Sequence, residues 1–178
     1  YLFGTSASHL RESAGRFLDE GYRSFKVKIG MDGASDLSNV EAVRQTVGQL
    51  PVRADVNGAW TPGTARRTLE KLRAFDLQYI EQPLELDDLQ GHADLRRMQP
   101  VPVALDESAY TLADVGNIVR ARAADVILLD PHEIGGAVAI HVGELPAFGL
   151  RHRRDSGDVA RVLEEAEASA RGDEDALL

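Results

Sequence analysis

Residues 25–29 read Phe-Lys-Val-Lys-Ile, an alternating run of apolar and charged residues whose last charged member is Lys28. Four further short apolar runs each end at an acidic residue. The charged positions are Lys28, Asp55, Glu81, Asp106 and Asp130, and successive members lie 24 to 27 residues apart. A unit of strand, loop, helix and return loop has about this length. Polar groups at the same end of successive parallel strands meet at one point only when the sheet curls. The spacing therefore predicts a (β/α) barrel with its site at the C-terminal mouth.

Strands and helices alternate along the rest of the chain. Strands are predicted at 25–29, 52–56, 78–80, 101–105 and 126–129, and helices at 9–20, 36–48, 62–75, 87–98, 112–123 and 136–148. Ser6 or Ser8, Thr61 followed by Pro62, and Thr111 are the expected helix N-caps. This alternation predicts a parallel sheet with right-handed crossovers. A doubly wound sheet alternates in the same way but does not need a charged residue at every strand end. A TIM-like α/β barrel is therefore favoured.

The composition excludes several classes of protein. A chain of 178 residues is long enough for one domain with a core, and its net charge of −9 argues against a nucleic-acid surface. No apolar run is long enough to span a bilayer and no secretory signal is visible, so we expect no membrane partner. The absence of cysteine removes disulfides and thiolate chemistry, and it fits a cytoplasmic location.

The last 28 residues differ from the rest. From Arg151 the sequence is strongly charged where a seventh strand would be expected, and Val159, Leu163 and their helical neighbours form the apolar stripe of a surface helix. We expect residues 1–150 to form the barrel portion and residues 151–178 a divergent, charged helical tail. Because strands seven and eight cannot be recognised, the barrel should be incomplete. Its open edges predict a homo-oligomer or an aggregation-prone fragment.

Three acids follow three consecutive strands. Asp55, Glu81 and Asp106 offer the oxygen ligands that Mg²⁺ prefers. A divalent cation at this point could hold a substrate carboxylate and stabilise the enediolate that forms when the neighbouring proton is removed. For one such acid alone, a helix N-cap or a surface ion pair is the simpler interpretation. Three acids at matched intervals favour the metal site.

Two lysines lie within the first predicted strand. Lys26 and Lys28 are two residues apart, so they point to the same side, while Phe25, Val27 and Ile29 point to the other. Lysines inside a barrel are costly unless they approach carboxylates, a metal site or a substrate. Mutual repulsion and a nearby cation should lower the pKa of one amine and allow it to act as a base. The alternative is a solvated edge strand with two exposed lysines.

An ordered set of short motifs over residues 20–136 resembles the enolase superfamily, specifically its mandelate racemase/muconate lactonizing enzyme family. The motifs are Lys26-Val27-Lys28-Ile29-Gly30, Asp55-Val56-Asn57, Tyr79-Ile80-Glu81-Gln82-Pro83, Leu105-Asp106-Glu107-Ser108 and Ile134-Gly135-Gly136. The resemblance implies an isomerase or lyase that abstracts the proton next to the carboxylate of a small substrate. The reaction would be that of a racemase or epimerase, an acid-sugar dehydratase or a cycloisomerase.

The same resemblance implies a role for each site residue. Lys28 is expected to be the base, with Lys26 assisting it or neutralising carboxylate charge. Asp55, Glu81 and Asp106 are expected to bind Mg²⁺, or Mn²⁺ in its place, with Glu107 as the alternative third ligand. Asn57 is expected to contribute to substrate binding and, like Gln82, to lie just behind the ligands.

The sequence also departs from the family pattern. Asp130 stands where many relatives carry a second lysine, and an acid there resembles the mandelate-racemase arrangement, in which it orients a histidine of strand seven. That histidine should fall near Asp155, whereas the nearest one is His152. The family's N-terminal capping domain has no counterpart in these residues. A catalytically inactive barrel fragment that retains only metal or partner binding is therefore the alternative. A phosphate-binding barrel at Gly135-Gly136 is a weaker third hypothesis.

Overall fold

The computed structural model describes residues 1–4, 6–31, 33–129 and 140–141. The helices are α1 Ala7–Asp19, α2 Gly33–Val47, α3 Pro62–Leu72, α4 Leu89–Met98 and α5 Leu112–Ala121, and a single 3₁₀ turn covers Arg73–Phe75. The strands are β1 Phe25–Lys28, β2 Val52–Asp55, β3 Ile80–Glu81, β4 Val103–Leu105, β5 Val126–Ile127 and β6 Ile140–His141. Within these residues, no helix combines the length and the apolar character needed to cross a membrane.

The strands form one sheet in sequential order, β1-β2-β3-β4-β5-β6. The first five are parallel to one another, which confirms the predicted α/β fold. Leu2 extends the sheet beyond β1 through a parallel bridge to Val27. Its backbone N–H donates to the Lys26 carbonyl at 2.7 Å, and its carbonyl accepts from the Lys28 N–H at 2.9 Å. Tyr1, Leu2 and Phe3 therefore occupy the strand position that precedes β1.

The prediction for residues 136–148 was wrong where the structure describes them. A helix was expected there, but Ile140 and His141 form β6, antiparallel to β5, with Val126 opposite His141. In the sequence, Val138, Ile140 and Val142 recur with the period of two that suits a strand. The open edge of β5 also presents backbone groups that a paired strand satisfies. The predicted tail at 151–178 and the boundary at residue 150 lie outside the described residues and stay predictions.

The helices begin at the expected polar caps. The Ser6 side chain accepts from the His9 N–H at the start of α1, and Thr61 accepts from the Thr64 N–H in front of α3, with Pro62 as the first helical residue. Thr111 and Asp114 form a reciprocal capping box at α5. Each cap satisfies a backbone donor that the first turn of a helix leaves without a partner.

The core lies between the outer face of the sheet and the helices. Phe25, Val27, Ile80, Leu105 and Ile127 point outward and belong to a single buried cluster with apolar residues of the helices. The alternate strand residues point to the inner face, where the apolar cluster is small: Tyr79, Ala104 and Val126, with Leu128 packed against it. The remaining inner-face positions near the strand ends are charged, and this side of the sheet carries the candidate site.

Candidate active site at the ends of the parallel strands

The strand register brings the predicted charged residues together. Lys28 is paired with Asp55 across β1 and β2, and Asp55 is paired with Glu81 across β2 and β3. Glu81 is opposite Ala104 of β4, so Asp106 follows two residues later on the same face. The proposed base and the three proposed ligands thus lie at the C-terminal ends of neighbouring parallel strands, as the spacing predicted.

Lys26 is the cation at the centre of this group. Its Nζ lies 2.7 Å from Oε1 and 2.9 Å from Oε2 of Glu81, and 4.0 Å from Oδ2 of Asp55. Glu81 is fully buried and Asp55 is 3% exposed. Two buried carboxylates therefore share one half-buried ammonium, which satisfies the requirement that a buried charge be paired.

The carboxylates around Lys26 raise the pKa of its amine. Burial on its own lowers the pKa of this amine, but the hydrogen bond to Glu81 and the charges of Glu81 and Asp55 together raise it above its ordinary value. Lys26 is therefore not the amine whose pKa was expected to be lowered, and its raised pKa suits the predicted role of neutralising carboxylate charge. The neighbouring carboxylates outweigh desolvation, so this residue is a cation near neutrality.

The buried carboxyl of Glu81 has a raised pKa. Burial raises the pKa of its carboxyl from 4.5 to about 7, against the hydrogen bond from Lys26, which lowers it. The charges of Asp55 and Asp106 contribute to the same rise in pKa. Asp55 and Asp106 therefore both lie close enough to act on the Glu81 carboxyl.

Both carboxylate oxygens of Asp55 accept a hydrogen bond. Oδ1 accepts from the backbone N–H of Asn57 at 3.1 Å, and Oδ2 accepts from the hydroxyl of Tyr1 at 2.8 Å. Burial and the hydrogen bond to Asp55 raise the pKa of the Tyr1 hydroxyl above its ordinary value, so the hydroxyl stays protonated and remains a donor. Sequence reasoning missed Tyr1. It stands 27 residues before Lys28, the same interval that separates Lys28 from Asp55. One further step of the same spacing would have found it.

The buried side chain of Gln82 joins the ends of β3 and β4. Its Nε2 donates to the Leu84 carbonyl at 3.1 Å and to Oγ of Ser108 at 2.7 Å. Its Oε1 accepts from the backbone N–H groups of Asp106 and Ser108, both at 3.2 Å. The Gln82 backbone has φ +40°, a left-handed conformation that is costly for a residue with a side chain. The Gln82 amide thus holds the backbone of the proposed ligand Asp106 across the sheet from Glu81, the proposed ligand that precedes Gln82 in sequence.

The side chains of Asn57 and Glu107 contact each other. The Asn57 side-chain amide donates a hydrogen bond to Oε1 of Glu107, and the Asn57 backbone has φ +47°, which asparagine tolerates better than most residues. Oε2 of Glu107 is buried and has no hydrogen-bond partner in the structure. Glu107 therefore points toward the loop that follows Asp55, and its Oε2 is a buried acceptor without a partner.

The donor set matches Mg²⁺ in chemistry but is not assembled around one point. Its members are all carboxylate oxygens, Glu81 is stressed by its acidic neighbours, and Glu107 has an unpartnered oxygen. Yet no three acidic or histidine side chains in the described ranges are arranged so that they could hold a metal ion. The Lys26 ammonium, which contacts both oxygens of Glu81, takes the place of a shared cation there.

The other two proposed catalytic residues are Lys28 and Asp130. Lys28 lies at the end of β1, on the inner face, with a partly exposed side chain. Asp130, the proposed acid of the opposite face, lies outside the described residues.

These features define an α/β domain whose parallel strands carry carboxylates and lysines at their C-terminal ends. Residues 9–141 match the family model described as enolase C-terminal domain-like. The chain belongs to the enolase superfamily and, within it, to the mandelate racemase/muconate lactonizing enzyme family, as the sequence resemblance implied.

Individual relatives agree with this assignment. An N-succinyl-L-Arg/Lys racemase of Bacillus cereus is 30% identical over 92% of this chain and 44% of its own length. An o-succinylbenzoate synthase of Thermobifida fusca is 41% identical over 72% of this chain and 41% of its own length. The chain thus spans less than half the length of these two relatives.

Solved structures show the same fold. A mandelate racemase/muconate lactonizing family protein from Azoarcus sp. EbN1 is 36% identical, with a TM-score of 0.68 over 71% of this chain and 34% of that one. A racemase from Streptomyces coelicolor A3(2) that contains bound magnesium is also 36% identical, with a TM-score of 0.65 over 70% of this chain and 37% of that one.

Proposed function

We propose that this chain provides the metal-binding and proton-abstracting residues of an enzyme that removes the proton next to a substrate carboxylate. The observation that supports this proposal most directly is that the Lys26 Nζ lies 2.7 Å from the carboxylate of Glu81 and 4.0 Å from that of Asp55. Buried carboxylates and lysines at the ends of parallel strands are expensive to maintain, and a functional site is the usual reason for them. Racemases in the same family, one of them solved with magnesium, support the proposal.

The cation of this reaction would be held by Asp55, Glu81 and Asp106, with Glu107 as the alternative to Asp106. Mg²⁺, or Mn²⁺ in its place, supplies when bound a positive charge that stabilises the enediolate form of a substrate carboxylate. To contribute Glu81, the site must relax the bidentate contact between Lys26 and that carboxylate. The Lys26 ammonium is then available to a carboxylate of the substrate.

The chain's own residues divide the remaining tasks. The Lys28 amine takes the α-proton on one face of the substrate, and Asp130 belongs to the group that acts on the opposite face. Asn57 helps to bind substrate, and Gln82 keeps Glu81 and Asp106 in register. The substrate is a small carboxylate. The overall reaction is a racemisation or epimerisation, an acid-sugar dehydration or a cycloisomerisation.

Proton exchange tests this mechanism without a known physiological substrate. N-succinyl-L-arginine is incubated with the chain and MgCl₂ in D₂O, and loss of the α-proton signal is followed by NMR. Lys28→Ala should slow exchange by at least about 100-fold, because it removes the general base. Lys71→Ala changes an exposed lysine of α3 and serves as the matched control. Exchange at an unchanged rate in the Lys28 variant would refute the mechanism.

One observation favours a second candidate function, namely metal or partner binding without turnover. Within the described residues, Glu81 and Asp55 are paired with Lys26 and no group of acids is arranged to hold a metal ion, so the site is not set up for metal-assisted turnover. A binding domain of this kind would give a heat of Mg²⁺ binding in calorimetry and no exchange of the probe's α-proton, whereas the enzyme would give both.

Location and assembly are part of the same proposal. We infer a cytoplasmic protein that associates with copies of itself through the edges of its sheet. Sedimentation velocity at increasing protein concentration tests the association, and a single monomeric species throughout would contradict it.

A further inference from the structure

Tyr1 is the first residue of the strand position that precedes β1, and it belongs to the charged inner face. The backbone bonds of Leu2 to Lys26 and Lys28 set this register and leave Leu2 buried on the outer side. Tyr1 and Leu2 are consecutive in an extended segment, so their side chains point to opposite faces of the sheet. Tyr1 thus lies beside Lys26.

Tyr1 makes one contact with each charge of the central pair. Its hydroxyl donates to Oδ2 of Asp55 at 2.8 Å, and the Lys26 Nζ lies 5.3 Å from the centroid of its ring. The ring therefore offers its electron-rich face to the ammonium, while the hydroxyl binds the carboxylate. A phenylalanine could make the first contact but not the second.

The distances around Lys26 are unequal. Its ammonium contacts both oxygens of Glu81, at 2.7 and 2.9 Å, yet stays 4.0 Å from Oδ2 of Asp55. That oxygen is the one that accepts the Tyr1 hydroxyl, and the other oxygen of Asp55 is held by the Asn57 N–H. A direct charge-assisted bond between an ammonium and a carboxylate is about 2.7–2.9 Å long, so at 4.0 Å the Asp55 Oδ2 is bonded to the Tyr1 hydroxyl and not directly to Lys26.

We propose that Tyr1 is a positioning residue that prepares Asp55 for a divalent cation by keeping its Oδ2 out of direct contact with the Lys26 ammonium. The inference rests on the proposed function, in which Asp55 and Glu81 are ligands. With Tyr1 in place, an incoming cation displaces one lysine contact, the one to Glu81. Without the hydroxyl, Lys26 would bridge both acids and the cation would have to displace two contacts.

Calorimetric titration of the full chain with MgCl₂ tests this proposal. Tyr1→Phe keeps the ring over Lys26 and removes only the hydroxyl. We expect it to weaken Mg²⁺ binding about tenfold, the lower end of what loss of a ligand's hydrogen-bond partner costs. Tyr22→Phe removes the hydroxyl of an exposed tyrosine outside the site and should leave the Kd unchanged. Thermal unfolding without Mg²⁺ shows that both variants are folded.

A double-mutant cycle separates competition with Lys26 from a merely structural effect. In a Lys26→Met background the competing ammonium is gone, so the Tyr1→Phe substitution should change the Kd by less than about twofold. An equal loss of affinity in both backgrounds would overturn the proposal, and so would an unchanged Kd for Tyr1→Phe alone. If the unsubstituted chain shows no Mg²⁺ binding, the proposed function itself fails and the role of Tyr1 falls with it.

Discussion

The outer and inner faces of the sheet are made from alternate residues of the same strands, but they differ in what stabilises them. Val27, Ile80 and Leu105 on the outer face are fully buried against helices. On the inner face, Lys26, Asp55 and Glu81 are held by hydrogen bonds and ion pairs. Burial raises the pKa of the Glu81 carboxyl to about 7.

The comparison separates stability from function within a single strand. Apolar burial contributes about 25 cal/mol per Å² without regard to direction, so the outer face can stabilise the fold with many equivalent contacts. Charged side chains gain little net stability from burial, because desolvation offsets their attraction. We infer that the outer face holds the sheet in place, and that the charges of the inner face are retained for chemistry.

The largest expected change in the free energy of unfolding follows from truncating a buried side chain of the outer face. Leu105→Ala should destabilise the chain by about 3 kcal/mol, because it removes a fully buried side chain and leaves a cavity. Leu86→Ala alters a leucine that is 45% exposed and should change the free energy of unfolding by no more than about 0.5 kcal/mol. Urea denaturation measures both. Equal losses would show that the outer core does not dominate stability.

The amide of Gln82 connects the two faces, because it is buried yet serves the site. Gln82→Glu replaces a donor of two hydrogen bonds with an acceptor and places a further negative charge beside Glu81. We expect a loss of about 2 kcal/mol in stability and weaker Mg²⁺ binding. The matched control is Gln49→Glu at an exposed position. If Gln82→Glu left both the urea midpoint and the Mg²⁺ affinity intact, the proposed link between β3 and β4 would be wrong.

An inner-face acid should behave differently from a core leucine. Glu81→Gln keeps an oxygen acceptor for Lys26 and removes a buried negative charge that Asp55 and Asp106 repel. We expect the free energy of unfolding to change by less than about 1 kcal/mol, or to rise, because loss of the Lys26 attraction is offset by relief of desolvation and repulsion. The same variant should lose Mg²⁺ affinity. Destabilisation as large as that of Leu105→Ala would contradict the separation of the two faces.

The smallest expected effect concerns pH and the fully buried His92 of α4. Its Nε2 accepts from the Leu84 N–H at 3.2 Å and its Nδ1 donates to the Asp88 carbonyl at 2.9 Å, which requires the neutral ring. Burial lowers the pKa of His92 below the ordinary value of 6.5, although the Asp88 carbonyl and charge act in the opposite direction. The unfolded chain then binds the proton more readily, so the contribution of His92 is complete above pH 6.5 and declines as the pH falls below it.

Urea midpoints measured between pH 8 and pH 5 test this dependence. Protonation of Glu81, whose carboxyl pKa burial raises to about 7, stabilises the folded chain as the pH falls over the same range, so the contribution of His92 is measured as a difference between variants. The urea midpoint of the unsubstituted chain minus that of His92→Gln should fall as the pH is lowered, because the replacement does not titrate. His9→Gln changes an exposed histidine and should keep a constant difference from the unsubstituted chain. A constant difference for His92→Gln as well would contradict the role of His92.

Much of the fold was predictable because it depends on local periodicity. Strands β1, β2 and β5 begin at the predicted residues 25, 52 and 126, and Thr61 and Thr111 cap helices as expected. Strand β3 was placed two residues early. The prediction treated Glu81 as a residue beyond the strand, whereas its burial within β3 depends on Lys26, which lies 55 positions away in sequence. The short β6 was missed because its pairing with β5 decides between helix and strand where the local pattern is ambiguous.

The site was predictable in composition but not in connectivity. The spacing indicated which residue types meet at the strand ends, since that follows from strand length and parallel direction. It could not indicate that Lys26 hydrogen-bonds Glu81 at 2.7 Å while its ion pair with Asp55 is longer, at 4.0 Å, because this choice depends on differences of about one ångström. The four hydrogen bonds of Gln82 were likewise out of reach, since they need a left-handed backbone that no sequence pattern announced.

The sequential strand order has a consequence for how the chain comes together. Each parallel strand contacts the one that precedes it by roughly 25 residues, so no early strand must wait for a distant part of the chain before it can pair. Successive units can be added in turn as they leave the ribosome, each using the last as a template. Until the next unit is added, however, the last strand of the growing sheet has an unpaired edge. A pause in translation would therefore leave backbone N–H and C=O groups open to pairing with another chain.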